Sequence, residues 1–136
     1  MPIFTLQEIT EVKGNQKFYK LLKDGFCEFD DFETDARINY NAEMNSIYYQ
    51  LDLLSRGLKL YEKKFKILKG GIKHLTECEI KSKNLRVYYF IDKPKGNIII
   101  TGGYKKNQKK DINHFRRDIL KYLEFKGEQN DKGRTA

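Results

Sequence analysis

Histidine and cysteine are scarce in this chain, two of each in 136 residues, and long apolar runs are missing altogether. The histidines, His74 and His114, fall on different predicted elements, so a two-imidazole acid–base ribonuclease has no local basis and each reads as a surface or edge residue. Cys27 and Cys78 lack paired zinc-type spacing and a secretory context, and they read as reduced core or near-core thiols of the cytosol. His74 with Cys78 offers two donors only, an incomplete metal site. The longest purely apolar run, Ile98 to Ile100, is far short of the roughly 20 residues that cross a bilayer. Met1-Pro2-Ile3-Phe4 lacks the positive start of a signal peptide, so a soluble, cytoplasmic chain without a membrane partner is expected. A phosphate-cradling glycine loop before a helix, a His-Glu-x-x-His word, internal repeats and a Pro/Gly/Ser linker are also missing. These absences argue against conventional enzymes and against a metal or cofactor, and they leave one domain.

What is present in excess is positive charge, unevenly placed. There are 27 Lys and Arg against 19 Asp and Glu, a net of +8. Residues 1–60 carry a net of −3 and residues 61–136 a net of +11. Such asymmetry suits a surface that meets a polyanion, nucleic acid or the ribosome first, although a lysine-rich surface also serves solubility.

Periodicity then orders the chain. Ile3–Ile9 and Phe18–Leu22 read as strands joined by a turn at Lys13-Gly14-Asn15-Gln16. Phe29 and Phe32, within the acidic run 28–35, seat a short helical turn; its five carboxylates read as solvated dipole partners, with metal binding the weaker alternative. Asp35 is the expected N-cap of a central helix reaching about Ser55, because Met44, Ile47, Tyr48, Leu51 and Leu54 share one face and Gly57 can end it. Lys64–Leu68 and Ile72–Lys81 read as extended on either side of Gly70-Gly71. In the strand Leu85–Asp92, Leu85, Val87, Tyr89 and Ile91 share one side and Arg86, Tyr88, Phe90 and Asp92 the other. A turn at 93–96 returns the strand 97–101, which Gly102-Gly103 should end. After a lysine-rich loop, Asp111 is the expected N-cap of a last helix whose inward stripe is Ile112, Phe115, Ile119, Tyr122 and Leu123. One domain over 1–126 is expected, with residues 127–136 a disordered tail.

The chemical signal is a combination: Arg86, Tyr88 and Phe90 on one strand face, then Tyr104, Lys105, Lys106, Lys109 and Lys110 in the loop. Cations hold phosphates and aromatic rings stack on unpaired bases, so the pattern suggests single-stranded RNA. The alternative for Tyr88 and Phe90 is that they pack beneath a helix.

The words Leu51-Asp52-Leu53-Leu54 through Gly57-Leu58, Phe65-Lys66-Ile67-Leu68-Lys69-Gly70-Gly71, Leu85-Arg86-Val87-Tyr88-Tyr89-Phe90 and Gly103-Tyr104-Lys105-Lys106-Asn107-Gln108-Lys109 come in an order that resembles the RelE/HigB toxins, in particular their phage-related HigB-like branch. The likeness covers roughly residues 22–124, leaving 1–22 as an N-terminal extension that would cover the groove, bind a partner or lengthen the sheet. It implies an α+β fold, an antiparallel sheet flanked by helices. It also implies a metal-independent endoribonuclease that cuts mRNA, often on the ribosome, and a cognate antitoxin protein. In that chemistry the RNA 2′-hydroxyl attacks the neighbouring phosphate within a cluster of Lys, Arg, Tyr or His groups. Arg86 matches the family's strand arginine, with phosphate stabilisation its natural role, and Lys105, Lys106 and Lys109 match the basic loop. The expected catalytic set is thus Arg86, Lys81, Lys106 and Tyr104, and the expected RNA-binding set Lys105, Lys109, Lys110 and Tyr88. Two departures stand out: Glu79 where many members carry arginine, and Gly102 where many carry histidine. Lys81 would compensate for Glu79, or Glu79 would act as base. Two further readings stay open, a non-catalytic RNA- or ribosome-binding module and a domain whose basic face meets an acidic protein.

Overall fold

The computed structural model describes the backbone of residues 1–135 and the side chains of residues 1–129. Six strands and two long helices follow the chain as β1 (Phe4–Glu8), β2 (Phe18–Lys23), α1 (Glu28–Ser55), β3 (Phe65–Ile67), β4 (Thr76–Lys81), β5 (Leu85–Asp92), β6 (Gly96–Tyr104), a 3-10 turn (Lys105–Asn107) and α2 (Gln108–Thr135). They form one α+β sheet in the order β1-β2-β6-β5-β4-β3. Every neighbouring pair is antiparallel except β2 with β6, which run parallel over Phe18–Lys20 and Asn97–Ile99. The N-terminal hairpin therefore lengthens the sheet.

The alternation of β5 decides the layering. Leu85, Val87 and Tyr89 pack with Phe29, Phe32, Met44, Ile47 and Leu51 of α1, whereas Tyr88 and Phe90 pack with Phe115, Ile119 and Tyr122 of α2. The helices thus cover opposite faces of the sheet. Both faces of β5 and β6 are buried, which is why these strands are rich in β-branched and aromatic residues. Fully burying a residue such as Phe90 or Ile98 contributes about 1.5–3 kcal/mol, so the central strands anchor the fold.

Several boundaries differ from the sequence expectation. The first helix starts at Glu28, not Asp35, because the Cys27 thiol sulfur accepts the Asp30 backbone N–H at 3.4 Å and so caps it. It breaks its helical path at Tyr40, where φ is −132° and ψ 40°. Gly57 takes the left-handed position past the C-terminus, as expected, at φ 79°. Only Thr76–Lys81 of the segment 72–81 is a strand. The strand β6 does not end at the glycines but passes through both to Tyr104, and α2 begins at Gln108, three residues before Asp111. The backbone of α2 continues past Gly127, where a disordered tail was expected, and Ala136 lies outside the described residues. No described helix is long and apolar enough to cross a membrane.

Candidate nucleic-acid interface

The end of β6 is shaped by what cannot fit there. A Cβ on Gly102 would stand 2.3 Å from the Phe32 ring, and one on Gly103 would stand 2.0 Å from Asp111 Oδ2. Bare backbone at both positions lets α1 close on one side of the strand and α2 on the other. Tyr104, the next residue, packs its ring edge-on to Phe32 at 5.6 Å and against Tyr40 at 6.0 Å, and its hydroxyl donates to the Asp35 carboxylate. Partial burial and the neighbouring Asp35 charge push the Tyr104 phenol up to about 12, so it keeps its proton at neutral pH. The break in α1 at Tyr40 lies in the wall of the same cleft.

Asn84 forms the opposite wall, and Glu43 holds it there. The Glu43 carboxylate accepts the Ser82 hydroxyl at 2.5 Å, the Asn84 backbone N–H at 2.8 Å and the Asn84 side-chain amide at 2.7 Å. Asn84 in turn accepts the Lys105 backbone N–H through its carbonyl at 2.9 Å. The resulting open cleft, about 700 Å³, is bounded by Asp35, Tyr40, Asn84, Tyr104, Lys105 and Lys106. Beyond its rim, Lys106, Lys109, Lys110 and Arg117 surround a shallower depression of about 470 Å³. The four lysines 105, 106, 109 and 110 are exposed and form no ion pair with a described side chain. Unpaired ammonium groups around an aromatic-walled cleft fit a phosphodiester strand with unstacked bases.

The strand-face half of the expected site lies elsewhere. Tyr88 is fully buried, its ring 5.6 Å from Phe115 beneath α2, so it cannot stack on a base. Arg86 is 7% exposed, and its Nη1 donates to the carbonyls of Ser82 at 2.6 Å and Leu85 at 2.8 Å. The guanidinium closes the β4–β5 turn from inside the α2-covered face and does not border the cleft. Glu79 is also fully buried and accepts from the Gln108 side chain at 2.7 Å, which removes it as a base toward an open-face substrate. Lys81, opposite Arg86 in the register, is only partly exposed and lines neither hollow. For Tyr88 and Glu79 the reason is that α2 lies on their face of the sheet, the alternative that the sequence reading had kept for Tyr88 and Phe90, and for Arg86 it is the hold of its own turn. The structure therefore brings together Tyr104, Lys105, Lys106, Lys109 and Lys110, and separates Arg86, Lys81 and Tyr88 from them.

Sequence reasoning missed Tyr40, Asn84 and Asp35 as cleft residues, since nothing local marks them. It also missed a second constellation. On the far side of Gly102 and Gly103 a groove of about 610 Å³ is lined by Glu28, Thr101, Tyr104, Asp111 and His114, among others. There His114 Nε2 lies 2.8 Å from Glu28 Oε1 and 3.1 Å from Asp118 Oδ2. Burial and the adjacent Glu28 carboxyl push Asp118 up to about 7. Burial works against the Glu28 charge too, but hydrogen bonds from Asp118 and His114 hold that carboxyl below its ordinary value.

Together these features define a three-layer α+β domain with a cation-rimmed cleft at the end of its central strand. No protein-family model, curated protein or solved structure matches the chain.

Proposed function

We propose that the chain binds single-stranded RNA along the Tyr104–Lys106 cleft and cuts it as a toxin-like, metal-independent endoribonuclease of a toxin–antitoxin pair, with mRNA, on the ribosome, as substrate and a cognate antitoxin as partner. The observation that carries the reading is the placement of two tyrosines and two unpaired lysines on one open cleft that continues onto the Lys109, Lys110 and Arg117 shelf. The resemblance to the RelE/HigB toxins supplies the reaction class, and Gly103 to Lys109 is the part of it that lies at this surface.

The chemistry divides among few groups. A base stacks between Tyr40 and the open side of the cleft, and Lys105 and Lys106 hold the phosphate oxygens. The 2′-oxygen attacks phosphorus and gives its proton to the Asp35 carboxylate. The P–O5′ bond breaks, and the protonated Tyr104 phenol supplies the proton to the leaving oxygen, so the products are a 2′,3′-cyclic phosphate and a 5′-hydroxyl. Lysine charge on the non-bridging oxygens stabilises the transition state. Arg86, the expected phosphate group, has no part in this scheme.

The test is expression in a bacterial host with mapping of transcript ends, alongside binding of a labelled RNA. Wild type should arrest growth and produce ends bearing 5′-hydroxyls. Tyr104→Phe should lower cleavage by about 100-fold or more while leaving RNA affinity nearly unchanged, as loss of a positioned proton donor does. Lys106→Ala should weaken binding itself. Unaltered cleavage and binding in both variants, with an intact circular dichroism spectrum, would defeat the proposal. One observation favours a second reading: the engagement of Arg86 with two carbonyls removes a phosphate contact that a nuclease would use. A non-catalytic RNA- or ribosome-binding module of this fold would sediment with ribosomes, harmlessly and in a salt-sensitive manner, and leave no new ends.

A further inference from the structure

Glu28, the first residue of α1, and His114 and Asp118, one turn apart on α2, come together across the side of β6 that β2 does not cover. The ladder between β2 and β6 stops at Lys20 and Ile99, so the strand from Ile100 to Tyr104 has β5 as its only described partner. Into that gap the two helices direct one imidazole and two carboxylates, each offering a ligand atom within 4.8 Å of the others. Three such donors from two helices are an unusual thing to converge on a partly covered spot.

A second, independent observation points to a ligand. Asp118 is 94% buried, yet its Oδ2, the atom facing His114, has no hydrogen-bond partner among the described residues. A buried carboxylate oxygen without a donor costs about 1–3 kcal/mol or more, so an orphan aimed into a cluster of other ligand-type atoms asks for a cation. The separations suit one. A divalent ion held at about 2.0–2.1 Å by nitrogen and oxygen donors sets tetrahedral ligand atoms about 3.3 Å apart. His114 Nε2 is 2.8 Å from Glu28 Oε1 and 3.1 Å from Asp118 Oδ2, so these two separations need only small outward shifts, and the Glu28 and Asp118 oxygens lie within 4.8 Å of one another.

We infer that Glu28, His114 and Asp118 form a binding site for one divalent first-row transition ion, with zinc the best match to the donor set. Asp118 closes the site from the protein interior. Glu28 and His114 line the 610 Å³ groove, which leaves a coordination position open toward it for water or an anionic ligand. The ion would also tie the first turn of α1 to the first half of α2, beside the stretch of β6 that β2 does not pair. Hydrogen bonding between Asp118 and Glu28, with His114 between the two carboxyl groups, accounts for part of the cluster, but it leaves Asp118 Oδ2 itself without a partner among the described residues. The inference stands apart from the RNA reading, since no residue of the three lies in the Tyr104–Lys106 cleft.

The experiment uses tag-free full-length protein, dialysed against chelator and titrated with Zn²⁺ alone by calorimetry, with metal content measured after gel filtration. One ion per chain and a raised melting temperature are expected. His114→Gln, at a side chain 43% exposed and tolerant of replacement, should weaken affinity by at least about 100-fold, more than the loss of an outer partner does, and abolish the thermal shift. Asp118→Asn should do the same. Because Asp118→Asn alters a buried position, Co²⁺ absorption of the wild type and of His114→Gln gives a second reading, a visible band present in the first and lost in the second. Absence of saturable one-to-one binding in the wild type, or equal binding in a folded His114→Gln, would overturn the site.

Discussion

Arg86 and Gly102 show what a single position can and cannot announce. Arg86 sits in the strand where an RNA-site arginine was expected, but its guanidinium bonds two carbonyls of its own turn. Removing it leaves those acceptors short of a donor in a buried setting, so Arg86→Ala should cost about 2–3 kcal/mol, measured as a lower urea midpoint, whatever it does to RNA. Gly102 is missing a side chain because the Phe32 ring occupies the space. Gly102→Ala should therefore destabilise by about 1–3 kcal/mol through overpacking, and Phe32→Leu in the same chain should recover part of the loss. Lysines 105, 106, 109 and 110 were legible as an exposed group, since a loop rich in one charge has few ways to be buried. The fates of Arg86 and Tyr88 were not legible, because alternation tells which residues share a face but not whether a helix covers it.

At the level of elements, the strands were read more securely than their ends. Alternation marked β5 from Leu85 to Asp92 correctly, whereas the helix start was misplaced because a cysteine, an uncommon cap, holds the α1 N-terminus. The contact between Glu43 and the β4–β5 turn, 39 positions away at Ser82, had no local signature. It carries a pH dependence. Burial opposes the Glu43 charge, but the Ser82 and Asn84 hydrogen bonds outweigh it and hold the carboxyl below its ordinary 4.5. With the folded value depressed, the stabilisation is full above the ordinary value and vanishes as pH falls through the lower folded one. Glu43→Gln should thus be less stable than wild type by about 1–2 kcal/mol at pH 7, and chemical denaturation at progressively lower pH should show the two converging. Equal gaps at both ends of that range would mean the carboxylate is not the stabilising form.

For the molecule as a whole, the charge imbalance between the first 60 residues and the rest suggested a surface for a polyanion, and the fold places Lys105, Lys106, Lys109 and Lys110 around one end of the central strand. If four of them contact phosphates, the logarithm of RNA affinity should fall with the logarithm of salt at a slope of roughly −3, since single strands lose about 0.7 counterions per contact. Lys109→Ala and Lys110→Ala together should reduce that slope by about half, with little change in base preference. The triad of Glu28, His114 and Asp118 was beyond sequence reading for a plain reason: Glu28 stands 86 positions before even the nearer of its two partners, His114, and only the closing of two helices around one strand brings them together.

The parallel partnership of β2 with β6 also has a consequence for how the chain is born. Lys17 meets Asn97 across 80 positions, and β6 is the strand that joins the hairpin to the rest of the sheet. At a synthesis rate of about 5–20 residues per second, the N-terminal hairpin waits roughly 4–16 s with its inner edge bare. Nascent chains stalled short of residue 96 should be cut readily by protease within β1 and β2, and those released beyond residue 126 should resist.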